Sequence, residues 1–321
     1  MGAILSMLWI VREAQRVHRE KIMKRALQNP LGVEMAWIPR QKFTMGGNGG
    51  AQDEQPQHDV KLKGFWMDRK EVTNSQFAKF VEATGYITTA EKVAEGEKEA
   101  GGWVFAPEGV RGNGGEMTYW KFVAGANWRH PHGPQSSITG LGEHPVVQVS
   151  WSDAEAYAKW AEKRLPTEAE WECAARGGLE QNPYPWGRQL FPHKLWMMNV
   201  WQGKFPEEDL GYDLYKGTAP VGSFPTNGYG ISDVAGNVRE WVADWYQPDA
   251  YRKSVRENPK GPEHGNIIED KESPKRVVRG GSYLSAESQG KMYRTSARDR
   301  MRPERSACDL GFRCVKDSDE P

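Results

Sequence analysis

Hydrophobic positions in this chain come in short bursts whose spacing switches between the strand and helix periods. Residues 35–39, Met-Ala-Trp-Ile-Pro, followed by residues 43–47, Phe-Thr-Met-Gly-Gly, read as a strand, a turn and a second strand. Residues 60–67, with Phe65 and Trp66, read as one further strand. Three helix starts share one grammar. Thr73-Asn-Ser-Gln76, Ser152-Asp-Ala-Glu155 and Thr167-Glu-Ala-Glu170 each place a hydroxyl at the N-cap and Glu or Gln three residues later. This is the capping box, in which each side chain satisfies the other residue's orphan backbone N–H. Behind the caps, Phe77, Phe80, Val81 and Thr84 share a face that stops at Gly85. Ala154, Tyr157, Trp160 and Ala161 share a second face, and Trp171, Ala174 and Ala175 a third that ends at Gly177-Gly178. These stripes face the core and carry no chemistry. Turns and short strands follow, including residues 237–245, 276–283 and 311–315, while the polar, Pro-interrupted residues 247–275 read as a surface loop.

Composition narrows the fold. The 321 residues suffice for two average domains or one large irregular one, and 35 Gly, 20 Pro and 14 Trp favour the latter. Gly and Pro limit long regular elements, and Trp holds irregular loops by burying large flat surfaces, so a loop-rich α+β domain is expected. Lys+Arg and Asp+Glu both total 43, which supplies no global field to draw nucleic acid or an anionic membrane. No nucleic-acid partner is expected. Cys173, Cys308 and Cys314 form no Cys-x-x-Cys motif, which rules out a disulfide scaffold and a four-thiolate zinc site. One bridge at most could form, and buried free thiols are the preferred expectation.

Residues 1–30 differ from the rest. Ala3 to Val11 is apolar apart from Ser6, and Arg12, Arg16, Arg19, Lys21, Lys24 and Arg25 follow. The run is too short to span a bilayer, and no basic stretch precedes it as in a signal peptide. It reads either as an amphipathic helix or as the remnant of a membrane anchor, with membrane association through residues 3–28. The expected organisation is an apolar and basic extension over 1–30 and one domain over 31–318.

The order of local motifs resembles one family. Gly125-Ala-Asn-Trp-Arg-His-Pro131, His144-Pro-Val-Val147, Lys163-Arg-Leu-Pro-Thr-Glu-Ala-Glu-Trp171, Asn227-Gly-Tyr-Gly230, Gly236-Asn-Val-Arg-Glu-Trp241, Arg279-Gly-Gly-Ser282 and Gly311-Phe-Arg-Cys314 are similar to the sulfatase-modifying factors, the formylglycine-generating-enzyme family. The resemblance implies a compact α+β fold with a C-type-lectin-like core, poor in regular structure. Catalytic members oxidise a sulfatase cysteine to formylglycine with oxygen and copper(I). By the same resemblance, the two copper-binding cysteines fall three and eight positions after Ser282, at Ser285 and Gly290, with Arg294 and Arg298 keeping the register. Copper(I) selects thiolate and thioether ligands, so a serine and a glycine make copper an unexpected cofactor here. The family's disulfide partners are likewise implied to be reduced: Cys314 keeps its place, while Ala158, Ala175 and Thr295 replace the others.

The resemblance also implies calcium, in one set at Asn199, Val200, Asp213 and Tyr215 and in another at Asp233, Gly236, Val238 and Glu240. Calcium takes six to eight hard oxygen ligands and uses backbone carbonyls as readily as carboxylates. The bland alternative is a pair of turns held by hydrogen bonds. The candidate groove comprises Ser282, Ser285, Glu287, Arg294 and Arg298, with the two arginines on one face of a strand, either to bind a partner's backbone or carboxylate or, as the bland alternative, to serve internal salt bridges. Ser282 lacks a Gly-x-Ser-x-Gly elbow and an evident base, Glu287 reads as a general acid or base or as a solvated carboxylate, and His130 and His132 lack metal-ligand spacing. Two functions remain open: a non-catalytic member that holds a peptide or protein partner in the old groove, or an oxidoreductase with cysteine-independent chemistry, as in the pyoverdine-maturation members.

Overall fold

The computed structural model describes residues 32–93, 98–111, 117–266, 274–289 and 291–318. Contacts divide the chain into Met1–Met35 and Ala36–Pro321. Of the first unit only residues 32–35 are described, so the expectation for residues 3–28 lies outside the described residues. Among the described residues no helix is long and apolar enough to cross a membrane.

The second unit is α+β and loop-rich, with short strands gathered into small sheets. Strands β1 (Met35–Ile38), β2 (Gln41–Met45), β3 (His58–Leu62) and β4 (Phe65–Asp68) open the domain. The single strand expected over residues 60–67 is corrected to two. Val60 and Leu62 are buried before the break at Lys63-Gly64, and Phe65 and Met67 after it. That slips the alternation by one residue, which a single strand does not allow. Consequently β3 pairs with β2, while β4 lies between β1 and the last strand, β11 (Val315–Asp317).

Helices α1 (Asn74–Thr84), α2 (Trp151–Trp160) and α3 (Glu168–Arg176) carry the expected stripes, and Gly85 and Gly177 end α1 and α3 in the left-handed conformation. The capping boxes at Thr73/Gln76 and Thr167/Glu170 form as read. That of α2 is corrected: the cap is Ser150, whose Oγ accepts from the Asp153 N–H at 3.2 Å while Asp153 Oδ2 accepts from the Ser150 N–H at 2.8 Å. A long aromatic hairpin, β5 (Gly101–Arg111) with β6 (Met117–Ala124), separates α1 from α2.

The sheet that positions the candidate site holds β7 (Arg239–Trp245), β8 (Arg276–Arg279), β9 (Asp299–Met301) and β10 (Leu310–Gly311), in the order β10-β7-β8-β9. Of residues 247–275, the described 247–266 and 274–275 are largely loop, as expected, with one short helix, α4 (Ala250–Lys253). The strand expected to reach Tyr283 stops at Arg279, because Gly280 and Gly281 take φ of 93° and 67°. Trp171 of α3 and Trp241 of β7 are completely buried, each contributing a few kcal/mol by area. Cys173, Cys308 and Cys314 are free and buried, and burial pushes the Cys308 thiol up to about 12.

Candidate functional site

At the end of β8 the chain turns on glycines. A Cβ on Gly281 would sit 2.9 Å from the Tyr293 nitrogen and 3.0 Å from Ser285 Oγ, so a side chain there is excluded. The turn delivers Ser282 and Ser285 to one another. The Ser282 N–H donates to Ser285 Oγ at 2.9 Å, and the Ser285 N–H donates to the Ser282 carbonyl at 2.8 Å. Ser282 Oγ in turn donates to Asp309 Oδ2 at 2.8 Å. Asp309 is held by the guanidinium of Arg239, through Nε at 2.9 Å and Nη2 at 2.6 Å. Register explains the meeting: β10 runs parallel to β7 with Leu310 opposite Arg239, which sets Asp309 beside that arginine. Both serines are buried, and no histidine or lysine among the described residues hydrogen-bonds Ser282. This is a locked polar strand end, without the base that activates a serine nucleophile.

The other groove candidates are placed apart. Glu287 is exposed and pairs with Lys291 at 2.8 Å, and Gly290 lies outside the described residues. Arg294 forks onto Glu54 at 2.6 and 2.7 Å. Arg298, fully buried, forks onto Glu168 at 2.7 and 3.0 Å and lies 4.4 Å over the Tyr251 ring. The expectation that these two arginines share a strand face is corrected. They sit in irregular chain before β9, and each guanidinium is committed to an internal carboxylate.

Those carboxylates belong to a network that sequence reasoning missed. Arg279 bridges Glu168 and Glu172, at 2.7 Å to each, and Arg176 also pairs with Glu172 at 2.7 Å. The signal was present: Glu168, Glu172 and Arg176 are four apart, on one face of α3. That face was read as apolar because Trp171, Ala174 and Ala175 dominate it. Burial alone would raise both carboxyls. The charges of Arg298 and Arg279 outweigh it at Glu168, and those of Arg176 and Arg279 at Glu172, so both lie below the ordinary range.

The two loops expected to bind calcium differ in how well their atoms suit a cation. In the first, Asp213 Oδ2 accepts from the Val200 N–H and Oδ1 from the Tyr215 N–H, both at 3.0 Å. The Val200 carbonyl accepts from the Gln202 amide at 2.8 Å, and Asn199 Nδ2 donates to the Gly217 carbonyl. Most candidate ligands there already have hydrogen-bond partners. In the second, the buried carbonyls of Gly236 and Val238 accept no hydrogen bond from the described residues. Asp233, at φ 57°, uses Oδ2 to accept from the Gly222 N–H at 2.6 Å. Burial, with the charge of Glu240 adding, pushes the Asp233 carboxyl up to about 6. Glu240 itself is filled by Arg313 and by the indole Nε1–H of Trp171 at 2.8 Å.

Glu71 is a further residue missed from sequence. It is buried, receives Asn237 Nδ2 at 2.6 Å and the Val238 N–H at 3.2 Å, and is raised well above its ordinary value by burial and by the charges of Asp233 and Glu240. Asn237 also accepts from Asn199, tying the two loops together. No three acid, histidine or cysteine side chains among the described residues converge as a metal cluster, so a cation here depends on backbone oxygens. The second loop meets that condition: unpaired buried carbonyls lie beside carboxylates in excess of their cations.

Comparison with known proteins adds the relatives. Residues 19–318 match the family described as sulfatase-modifying factor enzyme 1-like domain. A formylglycine-generating enzyme of Thermomonospora curvata is 47% identical over 298 residues, covering 88% of this chain and 93% of that protein. The inactive C-alpha-formylglycine-generating enzyme 2 of Bos taurus is 37% identical over 309 residues, covering 92% of each. Among solved structures, that of PvdO from Pseudomonas aeruginosa aligns with a TM-score of 0.63 at 26% identity, covering 90% of this chain and 96% of that one.

Proposed function

The chain belongs to the sulfatase-modifying factor enzyme 1-like family, and within it we propose a calcium-stabilised member that holds a peptide or protein partner and does not oxidise cysteine with copper. The observation that carries this reading is the locked turn at Ser285. Its hydroxyl is buried and takes the Ser282 N–H, and the nearby buried thiol of Cys308 is already engaged, accepting from the Tyr283 hydroxyl at 3.6 Å. A hydroxyl is a hard, weak ligand for copper(I), and neither Ser285 nor Gly290 supplies a thiolate or thioether. Overall identity is higher to the enzyme than to the inactive relative, so the reading rests on this turn and not on similarity. Calcium, taken by the Gly236 and Val238 carbonyls with Asp233, would neutralise the excess acid beside Glu71 and fix the loop under β7. Elemental analysis of the purified chain should find calcium and no stoichiometric copper. One tightly held copper per chain, or formylglycine formed in a sulfatase-type cysteine peptide, would overturn the reading. Co-purification followed by mass spectrometry should identify a bound peptide or protein.

A second reading, an oxidoreductase of cysteine-independent chemistry, draws on the buried Ser282–Asp309–Arg239 chain and on the likeness to PvdO. Turnover of a thiol-free substrate that Ser282→Ala abolishes, with the melting temperature kept, would favour it.

A further inference from the structure

The loop that follows β7 folds back over the first turn of α3 and leaves a cavity of about 380 Å³. That volume lies within the range of small-molecule sites. Met45, Ala169, Ala250 and Val255 give it apolar walls, and Glu168, Asp244 and the exposed Glu263 line it as acids. Neighbouring buried acids have arginines: Glu168 has Arg279 and Arg298, Glu172 has Arg176 and Arg279, and Glu170 has Arg164 at 2.7 Å through both oxygens. Asp244 is the exception. Its Oδ2 accepts the Glu168 N–H at 2.8 Å, while Oδ1 accepts no hydrogen bond from the described residues, although Asp244 is only 4% exposed. Gly261, at φ 72°, brings the loop close to that oxygen: a Cβ there would lie 2.4 Å from it. A buried carboxylate without a cation is costly, and a donor cation supplied from outside would remove the cost.

We propose that this cavity binds a small organic cation, a primary amine or guanidine, with its head on Asp244 Oδ1 and its aliphatic body on Met45, Ala169, Ala250 and Val255. The site is separate from the turn at Ser282 and from both acid loops. Burial and the charge of Glu168 push the Asp244 carboxyl up to about 8, with Glu170 adding and Arg298 opposing. Tyr251, Lys253, Lys260 and His264 face the same cavity, and Lys253 already pairs with Asp249 at 2.6 Å. A cation binds the ionised acid, so affinity rises with pH as Asp244 loses its proton and levels off above that point.

The test is calorimetric titration of the full chain with n-butylamine and n-butylguanidine, both still charged at about pH 9, with n-butanol as the neutral control. One saturable site for the cations alone is expected, tighter by about tenfold or more at about pH 9 than at about pH 6.5. Asp244→Asn should abolish it. Because that change also touches the start of α3, Ala250→Leu provides a second variant, which fills the cavity and should lose binding with the melting temperature kept. Equal binding of butanol, binding independent of pH, or binding retained by Asp244→Asn would each overturn the proposal. So would the absence of any saturable binding.

Discussion

The face behind α3 and the loop before β7 both bury carboxylates, yet they solve the charge problem in opposite ways. Behind α3, Glu168 and Glu172 meet Arg176, Arg279 and Arg298, and all of these side chains are almost wholly buried. Before β7, Glu71, Asp233 and Glu240 share one buried arginine, Arg313, which is spent on Glu240. Arg313 also reaches the Ser232 carbonyl, and its charge offsets Glu71 and Asp233 only in part, since both stay raised. Glu168 and Glu172 are thus answered from within the chain and need no ligand of their own. The second region holds acid in excess beside unpaired carbonyls, the condition under which a hard cation stabilises a fold.

The largest expected effect breaks the closed region. Arg279→Met removes the residue that bridges both glutamates and leaves buried acid short of a cation, so it should cost about 3–5 kcal/mol in denaturant unfolding. Glu71→Gln, the matching change before β7, should cost less than about 1 kcal/mol without calcium, because it removes a repelled charge. A comparable loss in both variants would mean that the two regions are not electrostatically different.

Their pH responses should also have opposite signs. Asp233 has a folded value raised to about 6, so the folded state holds its proton longer than the unfolded one. Its contribution is fully present at low pH and is lost as pH rises towards 6, an effect on the order of 3 kcal/mol for so buried a group. Glu54, Glu168 and Glu172 are lowered. Their contribution is present above the ordinary carboxylate range and is lost as pH falls through it. Calcium-free protein should therefore weaken between about pH 4 and about pH 6 through Asp233, and added calcium should cancel that slope. The measurement is melting temperature against pH with and without chelator. A chelator-independent profile would remove calcium from the second loop.

Arg294 gives a smaller test. Its two-pronged pair with Glu54 is part-buried, and Lys reproduces the charge without the fork. Arg294→Lys should cost about 1 kcal/mol of stability and leave partner binding unchanged. Weakened binding at full stability would return Arg294 to the groove.

What was legible in the sequence follows from how local each signal is. Gly85, the cap at Thr73 and the stripe of Trp171, Ala174 and Ala175 are decided within one or two turns of chain, and they are found where expected. The pairing of Arg298 with Glu168 spans 130 residues, and that of Arg294 with Glu54 spans 240. Nothing in residue spacing announces such contacts, which is why spacing does not choose between a groove role and internal salt bridges for the arginines. The split at Lys63-Gly64 was visible as a slip in alternation, but a run with Phe65 and Trp66 at its centre reads as continuous. Glu71 and Asn237 were missed for a different reason: their role depends on each other and on a backbone N–H, and neither residue stands in a metal-ligand spacing.

The cap of α2 is the finest test of that lesson. Ser152 precedes Glu155 by three residues while Ser150 precedes Asp153, so the capping-box rule, which asks for Glu or Gln, points to Ser152. The fold chooses Ser150, because Asp153 is claimed from another part of the chain: the Thr89 N–H donates to its Oδ1 at 3.0 Å and the Tyr86 hydroxyl donates at 3.0 Å. A helix starting at Ser152 would turn Asp153 away from both donors. Ser150→Ala removes an acceptor from the Asp153 N–H inside a buried network and should cost about 1 kcal/mol. Ser152 is exposed in the first turn, and Ser152→Ala should stay within about 0.5 kcal/mol of the parent. Paired urea unfolding of the two variants separates the possibilities, since an equal loss from both would place the start of α2 two residues later.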